Sequence, residues 1–192
     1  MRNGVIKRTT NETEITAELC LDGRGCSEID CGCAFFKHML EQFVCHSGFD
    51  LKLSAKSKDG DNHHLIEDTA IALGCAFKEA LADKSSINRY GQCILPMDEA
   101  LVLCAVDISG RAFSSTELDI KCERVSDFET ILVPHFFYSF AQNAAVSIHI
   151  KQLSGADSHH IIEAAFKSFA RAISQAAQKN DTGKIPSTKG CL

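Results

Sequence analysis

Two five-residue runs repeat in this chain, His63-His64-Leu65-Ile66-Glu67 and His159-His160-Ile161-Ile162-Glu163. Each follows a lone histidine, His38 by 25 residues and His135 by 24. The repetition extends outward. Phe49-Leu51-Leu53 and Val146-Ile148-Ile150 each begin eleven residues after the lone histidine and alternate with polar residues, the period-2 mark of a half-buried strand. Glu12 lies eleven residues before Gly23-Arg24, and Glu99 lies eleven before Gly110-Arg111, with apolar-alternating stretches between. Downstream of the double histidines, Ala76 and Ala80 match Ala172 and Ala176 in a helical pattern. A fixed internal period of this kind constrains the fold before any single residue does. It predicts a duplicated strand-strand-helix-strand-helix unit over 1–88 and 89–180, then a flexible tail over 181–192. Strands and helices in that order give an α+β fold with sheets and helices in layers, two half-domains packed as one pseudo-symmetric domain.

At 192 residues the chain has the length of one domain with a substantial core. A net charge of −5 with no basic stripe argues against nucleic acid as partner. No apolar run reaches the length of a membrane span, and the N-terminus carries no signal-peptide core. Ten cysteines are scattered without a C-x-x-C pair, and several, such as Cys75 and Cys104, fall within apolar patterns. Reduced thiols are expected.

The repeated runs carry the chemistry. On a helix, residues i and i+4 share a face, so His63 with Glu67, and His159 with Glu163, can hold one ion. The adjacent histidine points about 100° away, so His63 and His64 are placed to serve two ions rather than one. Pairing across the pseudo-twofold, or across a subunit contact, would give each metal three imidazoles and one carboxylate. Nitrogen and carboxylate donors suit Mn²⁺, Fe²⁺ or Zn²⁺ without choosing among them. His46 has Asn143 as its repeat counterpart, which points to a substrate contact or a helix-end residue rather than a ligand. His149, on the polar side of a strand, reads as structural.

Several stretches, in this order and spacing, resemble the imidazoleglycerol-phosphate dehydratase family over essentially the full chain. They are Arg8-Thr9-Thr10-Asn11-Glu12-Thr13, His38-Met39-Leu40-Glu41-Gln42, His46-Ser47-Gly48-Phe49-Asp50, both double-histidine runs, Pro96-Met97-Asp98-Glu99, Ser109-Gly110-Arg111, His135-Phe136-Phe137 and Pro186-Ser187-Thr188-Lys189-Gly190. The resemblance implies loss of water from imidazole glycerol phosphate to give imidazole acetol phosphate in histidine biosynthesis, through an imidazolate held between two metal ions. It implies two divalent ions per chain, Mn²⁺, with ligands His38, His63, His64, Glu67, His135, His159, His160 and Glu163. Glu12 matches the proton-transfer carboxylate, with its repeat partner Glu99 as the weaker alternative. His46, Arg89, Arg111, Lys167, Ser187 and Lys189 match substrate contacts. Cytoplasmic homo-oligomers are implied, closed shells of 24 chains with metals at subunit contacts, or organellar ones once a transit segment is removed. The phosphatase domain fused to some relatives has no counterpart, so a monofunctional enzyme is expected.

Two positions depart from the family. Lys37 precedes the lone histidine where an aspartate is usual, and Asn62 precedes the first double histidine where an aspartate is common. Neither touches a ligand position. Two rival readings remain from the residues alone. One is a binuclear hydrolase using metal-bound hydroxide, and the other is a metal-storing assembly protein, which would have no use for Glu12, Arg111 or the Ser-Thr-Lys tail.

Overall fold

The computed structural model describes residues 1–82, 84–180 and 183–190. The first half opens with β1 (Asn3–Thr9) and β2 (Thr13–Cys20), an antiparallel pair in register from Asn3 opposite Cys20 to Thr9 opposite Glu14. In β2, Ile15, Ala17 and Leu19 are buried while Glu14 and Glu18 face out, so alternation in sequence becomes alternation across the sheet. Next comes β3 (Ser27–Cys31), then α1 (Ala34–Ser47), β4 (Asp50–Ser57) and α2 (Asn62–Leu81). The sheet order is β1-β2-β4-β3, with β3 parallel to β4 and α1 as the crossover between them.

The second half repeats this topology. Strands β5 (Tyr90–Met97), β6 (Ala100–Asp107) and β7 (Phe113–Glu117) precede a small hairpin of β8 (Arg124–Val125) and β9 (Phe128–Glu129). Then follow α3 (Leu132–Ala144), β10 (Ser147–Ser154) and α4 (Ser158–Ala177), and the sheet runs β5-β6-β10-β7. The α+β layering agrees with the sequence reading, but each four-stranded sheet carries one strand more than the expected unit, and the second half adds the β8–β9 hairpin. Neither β3 (SEIDC) nor β7 (FSSTE) has the apolar alternation that reveals its neighbours. As edge strands they bury little, so their sequences carry little signal.

The helices lie between the sheets. Helix α2 covers β1, β2 and β4, while α4 covers β5, β6 and β10. Across the middle the halves exchange partners, with α2 packing on α3 and α1 on α4. A continuous core joins them, and its centre is aromatic: Phe136, Phe137, Phe140, Phe166 and Phe169 stack or meet edge to face at centroid separations of 5.0–6.5 Å. The close approach of strand to helix repeats too. A Cβ added at Gly4 would meet the carbonyl of Ala76, and one at Gly91 would meet that of Ala172. Only glycine fits at these matched positions. The nine described cysteines are free, while Cys191 lies outside the described residues. No helix among the described residues is long and apolar enough to cross a membrane.

Candidate metal centre

Both double-histidine helices begin the same way. Asp61 caps α2 by accepting from the amide of His63 (2.7 Å), and Asp157 caps α4 by accepting from those of His159 (2.8 Å) and His160 (3.2 Å). A side-chain acceptor at this position satisfies amides that have no partner within the helix. The caps fix the first turn, which carries the imidazoles.

The exchange of helix partners then decides which histidines meet. His38 on α1 of the first half joins His159 and Glu163 on α4 of the second. Its Nε2 lies 3.4 Å from Glu163 Oε2, and that of His159 lies 3.1 Å from the same oxygen. One ligand atom from each of the three residues lies within 4.8 Å of the others. The mirror group is more open. His63 Nε2 is 3.8 Å from Glu67 Oε2, and the His63 ring centroid is 5.1 Å from that of His135 on α3. Each group therefore draws a lone histidine from one half and a His-x-x-x-Glu pair from the other. In the first group, two imidazoles and a carboxylate converge at distances that fit a divalent ion accepting nitrogen and oxygen donors.

Glu163 is the buried member. Burial opposes its ionisation, but the hydrogen bond and charge of Lys167, with His159 and His38 beside it, hold its pKa below the ordinary glutamate value. Lys167 Nζ is 2.6 Å from Glu163 Oε1 and 3.6 Å from Met97 Sδ, so this expected substrate contact is bound to a candidate metal ligand.

His64 and His160 turn away from their neighbours, as the helical angle requires, and each meets its own carboxylates. His64 Nδ1 is 2.7 Å from Asp59 Oδ2, with Glu12 3.8 Å from its Nε2. His160 Nδ1 is 2.8 Å from Glu99 Oε2, with Asp98 3.7 Å from its Nε2. These contacts raise both imidazole pKa values, the hydrogen bonds to Asp59 and Glu99 acting most strongly. A proton held on Nδ1 by a carboxylate leaves the Nε2 lone pair for a metal. The two orienting carboxylates are held down to about 2, Asp59 mainly by the Asp61 amide and His64, and Glu99 mainly by the Asp157 amide and His160.

Glu12 is set in place by a buried staple. Asp68 takes Arg8 Nε at 2.8 Å and the Thr13 hydroxyl, and Thr10 Oγ1 reaches it at 3.4 Å. The β1–β2 turn is thereby fixed to α2, with Glu12 at its tip beside His64. Sequence reasoning quoted Arg8, Thr10 and Thr13 without finding this purpose. It also missed Asp59, whose only signal was a place in the Asp-Gly-Asp loop before α2.

The remaining residues are dispersed. Arg111 is exposed after β6, its amide bonded to Ser109 Oγ. Arg89 is committed to the fold, gripping Asp107 through Nε (2.7 Å) and Nη2 (3.2 Å) and donating through Nη1 to the Pro186 carbonyl at 2.8 Å. It thereby anchors the segment bearing Ser187 and Lys189, where Ser187 Oγ accepts from the Lys189 amide. Residues 181, 182, 191 and 192 of the expected tail lie outside the described residues. His46 sits at the end of α1, its pKa lowered by burial and then by the charges of Lys167 and Arg171. His149 packs its ring on Phe113 at 5.1 Å.

Comparison with known proteins agrees with this fold. A family profile described as imidazoleglycerol-phosphate dehydratase matches residues 31–173. The protein of that name from Methanocella arvoryzae is 45% identical over 193 residues, with 100% of both chains covered. The one from Acetivibrio thermocellus is 48% identical, with 97% of each covered. The crystal structure of imidazoleglycerol-phosphate dehydratase from Staphylococcus aureus matches with a TM-score of 0.85 at 37% identity, covering 93% of this chain and 99% of that one. The chain belongs to the imidazoleglycerol-phosphate dehydratase family.

Proposed function

We propose that this protein is a hydro-lyase that dehydrates imidazole glycerol phosphate to imidazole acetol phosphate in histidine biosynthesis, with two divalent ions per chain, Mn²⁺ in the working enzyme. The observation that carries this reading is the pair of histidine–glutamate groups built across the halves, with a carboxylate at Glu12 beside one of them. The groups His38–His159–Glu163 and His63–Glu67–His135 would each hold an ion, with His64 and His160 completing shells at a contact between chains. Divalent cations there would take the substrate ring nitrogens and offset the cost of removing the ring proton.

The rest falls to the chain's own groups. The hydroxyl on the side-chain carbon next to the ring departs as water, taking up the proton given up by the ring. Glu12 takes a proton from the following carbon, which leaves an enol that tautomerises to the ketone. Half exposed beside His64, Glu12 is free to exchange that proton. Phosphate is held by Arg111, Ser187 and Lys189, with His46 and Lys167 as further substrate contacts. Arginine offers a fork and lysine a mobile charge. Arg89 is a further phosphate contact and fixes the segment that bears Ser187 and Lys189.

The candidate ligands are open in the single chain, with the side chains of His38, His63 and His159 each about two fifths exposed. Shells this open favour closure by other copies, and a homo-oligomer of 24 chains is the proposed state. The test of the reaction is an assay of purified protein with Mn²⁺ and imidazole glycerol phosphate. Ketone should form, and its absence while metal is bound would favour the hydrolase or storage readings.

A further inference from the structure

The halves differ most between their third strand and first helix. In the first half, β3 ends at Cys31 and α1 begins at Ala34. In the second, β7 ends at Glu117 and α3 begins only at Leu132, so residues 118–131 stand where the first half has only Gly32 and Cys33. This insertion touches the first turn of all four helices. The Asp127 carboxylate accepts from the amides of Ala34 and Phe35 and so caps α1, which has no cap of its own. The Asp127 carbonyl accepts from Asn62 Nδ2 at 3.0 Å, at the first residue of α2. The Thr130 carbonyl accepts from Val133 in α3, and the Cys122 amide donates to Ser158 Oγ, at the first residue of α4. Next to Asp127, Phe128 is fully buried against Phe35 and Phe36, and Phe35 meets the His159 ring edge-on at 5.1 Å.

We propose that the 118–131 insertion is the positioning element for both metal groups, a brace that fixes the four ligand-bearing helix starts relative to one another through Asp127 and Asn62. The residue at 62 is central. A carbonyl can only accept, so it needs the amide donor that asparagine supplies and an aspartate lacks. The family's more usual aspartate could not make this bond, so Asn62 and the Asp127 turn form a matched pair in this chain. Asn62 neighbours His63, whereas Asp127 holds the helix that carries His38. A disturbance at Asn62 should therefore travel through the insertion to the group containing His159. This inference rests on the two-metal reading above.

The test is Asn62→Asp in the full-length protein, followed by Mn²⁺ titration calorimetry and by hydrogen exchange of the metal-free form. Outer contacts of metal ligands are worth about 10–100-fold in affinity. Affinity should fall by about tenfold or more at both sites, and the amides of Ala34 and Phe35 should exchange faster although they lie on another helix. Both binding constants within about twofold of the wild type, or a loss confined to one site with Ala34 and Phe35 still protected, would overturn the brace. Should Asn62→Asp fail to fold, Asn62→Ala removes the donor without adding charge and is read the same way. Failure of both to fold would make the bond a folding requirement and overturn a positioning role. A wild-type protein that binds no Mn²⁺ would instead remove the two-metal reading, leaving the exchange data to judge the brace alone.

Discussion

Glu12 and Glu99 occupy the same place in the two halves, at the tip of the first hairpin beside the second histidine of a double pair, yet they are held differently. In the second half Glu99 is fully engaged. One oxygen takes His160 Nδ1, and the other takes the amides of Ala156 and Asp157 ahead of α4. In the first half Asp59 takes the matching bond to His64 Nδ1, and Glu12 stands 3.8 Å from the opposite ring nitrogen. The turn beneath Glu12 is held instead by Asp68, whose counterpart by the double-histidine alignment is Ala164, buried and apolar. The two halves thus hold similar carboxylates in similar cradles. Glu99 is a fixed orienting group, whereas Glu12 stands half exposed at a rigid tip, as the proposed proton-transfer role requires.

The largest expected effect separates those two residues. Glu12→Gln should lower turnover by about 10²–10⁴-fold, the usual contribution of a positioned acid–base group, with metal content unchanged. Glu99→Gln should act on the metal instead, weakening Mn²⁺ binding by about 10–100-fold while turnover at saturating Mn²⁺ changes far less. Steady-state kinetics across a Mn²⁺ series reads both. The opposite pattern would reverse the roles, and near-normal turnover in Glu12→Gln, within about two- or threefold, would remove Glu12 from the chemistry.

Assembly comes next in size. If shells close between chains, metal stabilises the assembled state by mass action. Chelation should shift the particle toward smaller oligomers on light scattering, and Mn²⁺ should restore it. A monomer with full activity and two bound metals would break this account of the open groups.

A smaller effect belongs to the staple. Asp68→Ala leaves the buried Thr13 hydroxyl without its partner and frees Arg8, which should cost about 2 kcal/mol in denaturant unfolding. Turnover should fall as well, because the Glu12 tip loses its anchor. A loss of stability with unchanged turnover would mean that Glu12 keeps its position without Asp68.

The sequence carried much of this. Spacing of the double and lone histidines marked every candidate ligand, and apolar alternation located β2, β4, β6 and β10. The 100° step along a helix correctly separated His63 from His64. Pairing across the pseudo-twofold stood there as one of two options, and the spacing could not report which the packing makes. The offsets of 25 and 24 residues are the same whether His38 meets His63 or His159, because packing of α1 on α4 depends on surfaces spread over both halves. The resemblance marked Arg89 as a phosphate contact, and its spacing carried no sign that the guanidinium also holds Asp107 and Pro186, partners 18 and 97 residues away. Edge strands β3 and β7 and the 118–131 insertion were missed for the opposite reason, since short, half-exposed segments carry no periodicity to read.

Metal stoichiometry tests the central claim most directly. Eight candidate ligands divided evenly between two groups predict close to two divalent ions per chain after gentle purification in excess Mn²⁺. Glu163→Gln, altered at the buried carboxylate of one group, should bind close to one. A wild-type value that stays near zero or one in excess Mn²⁺ would contradict the two-centre account.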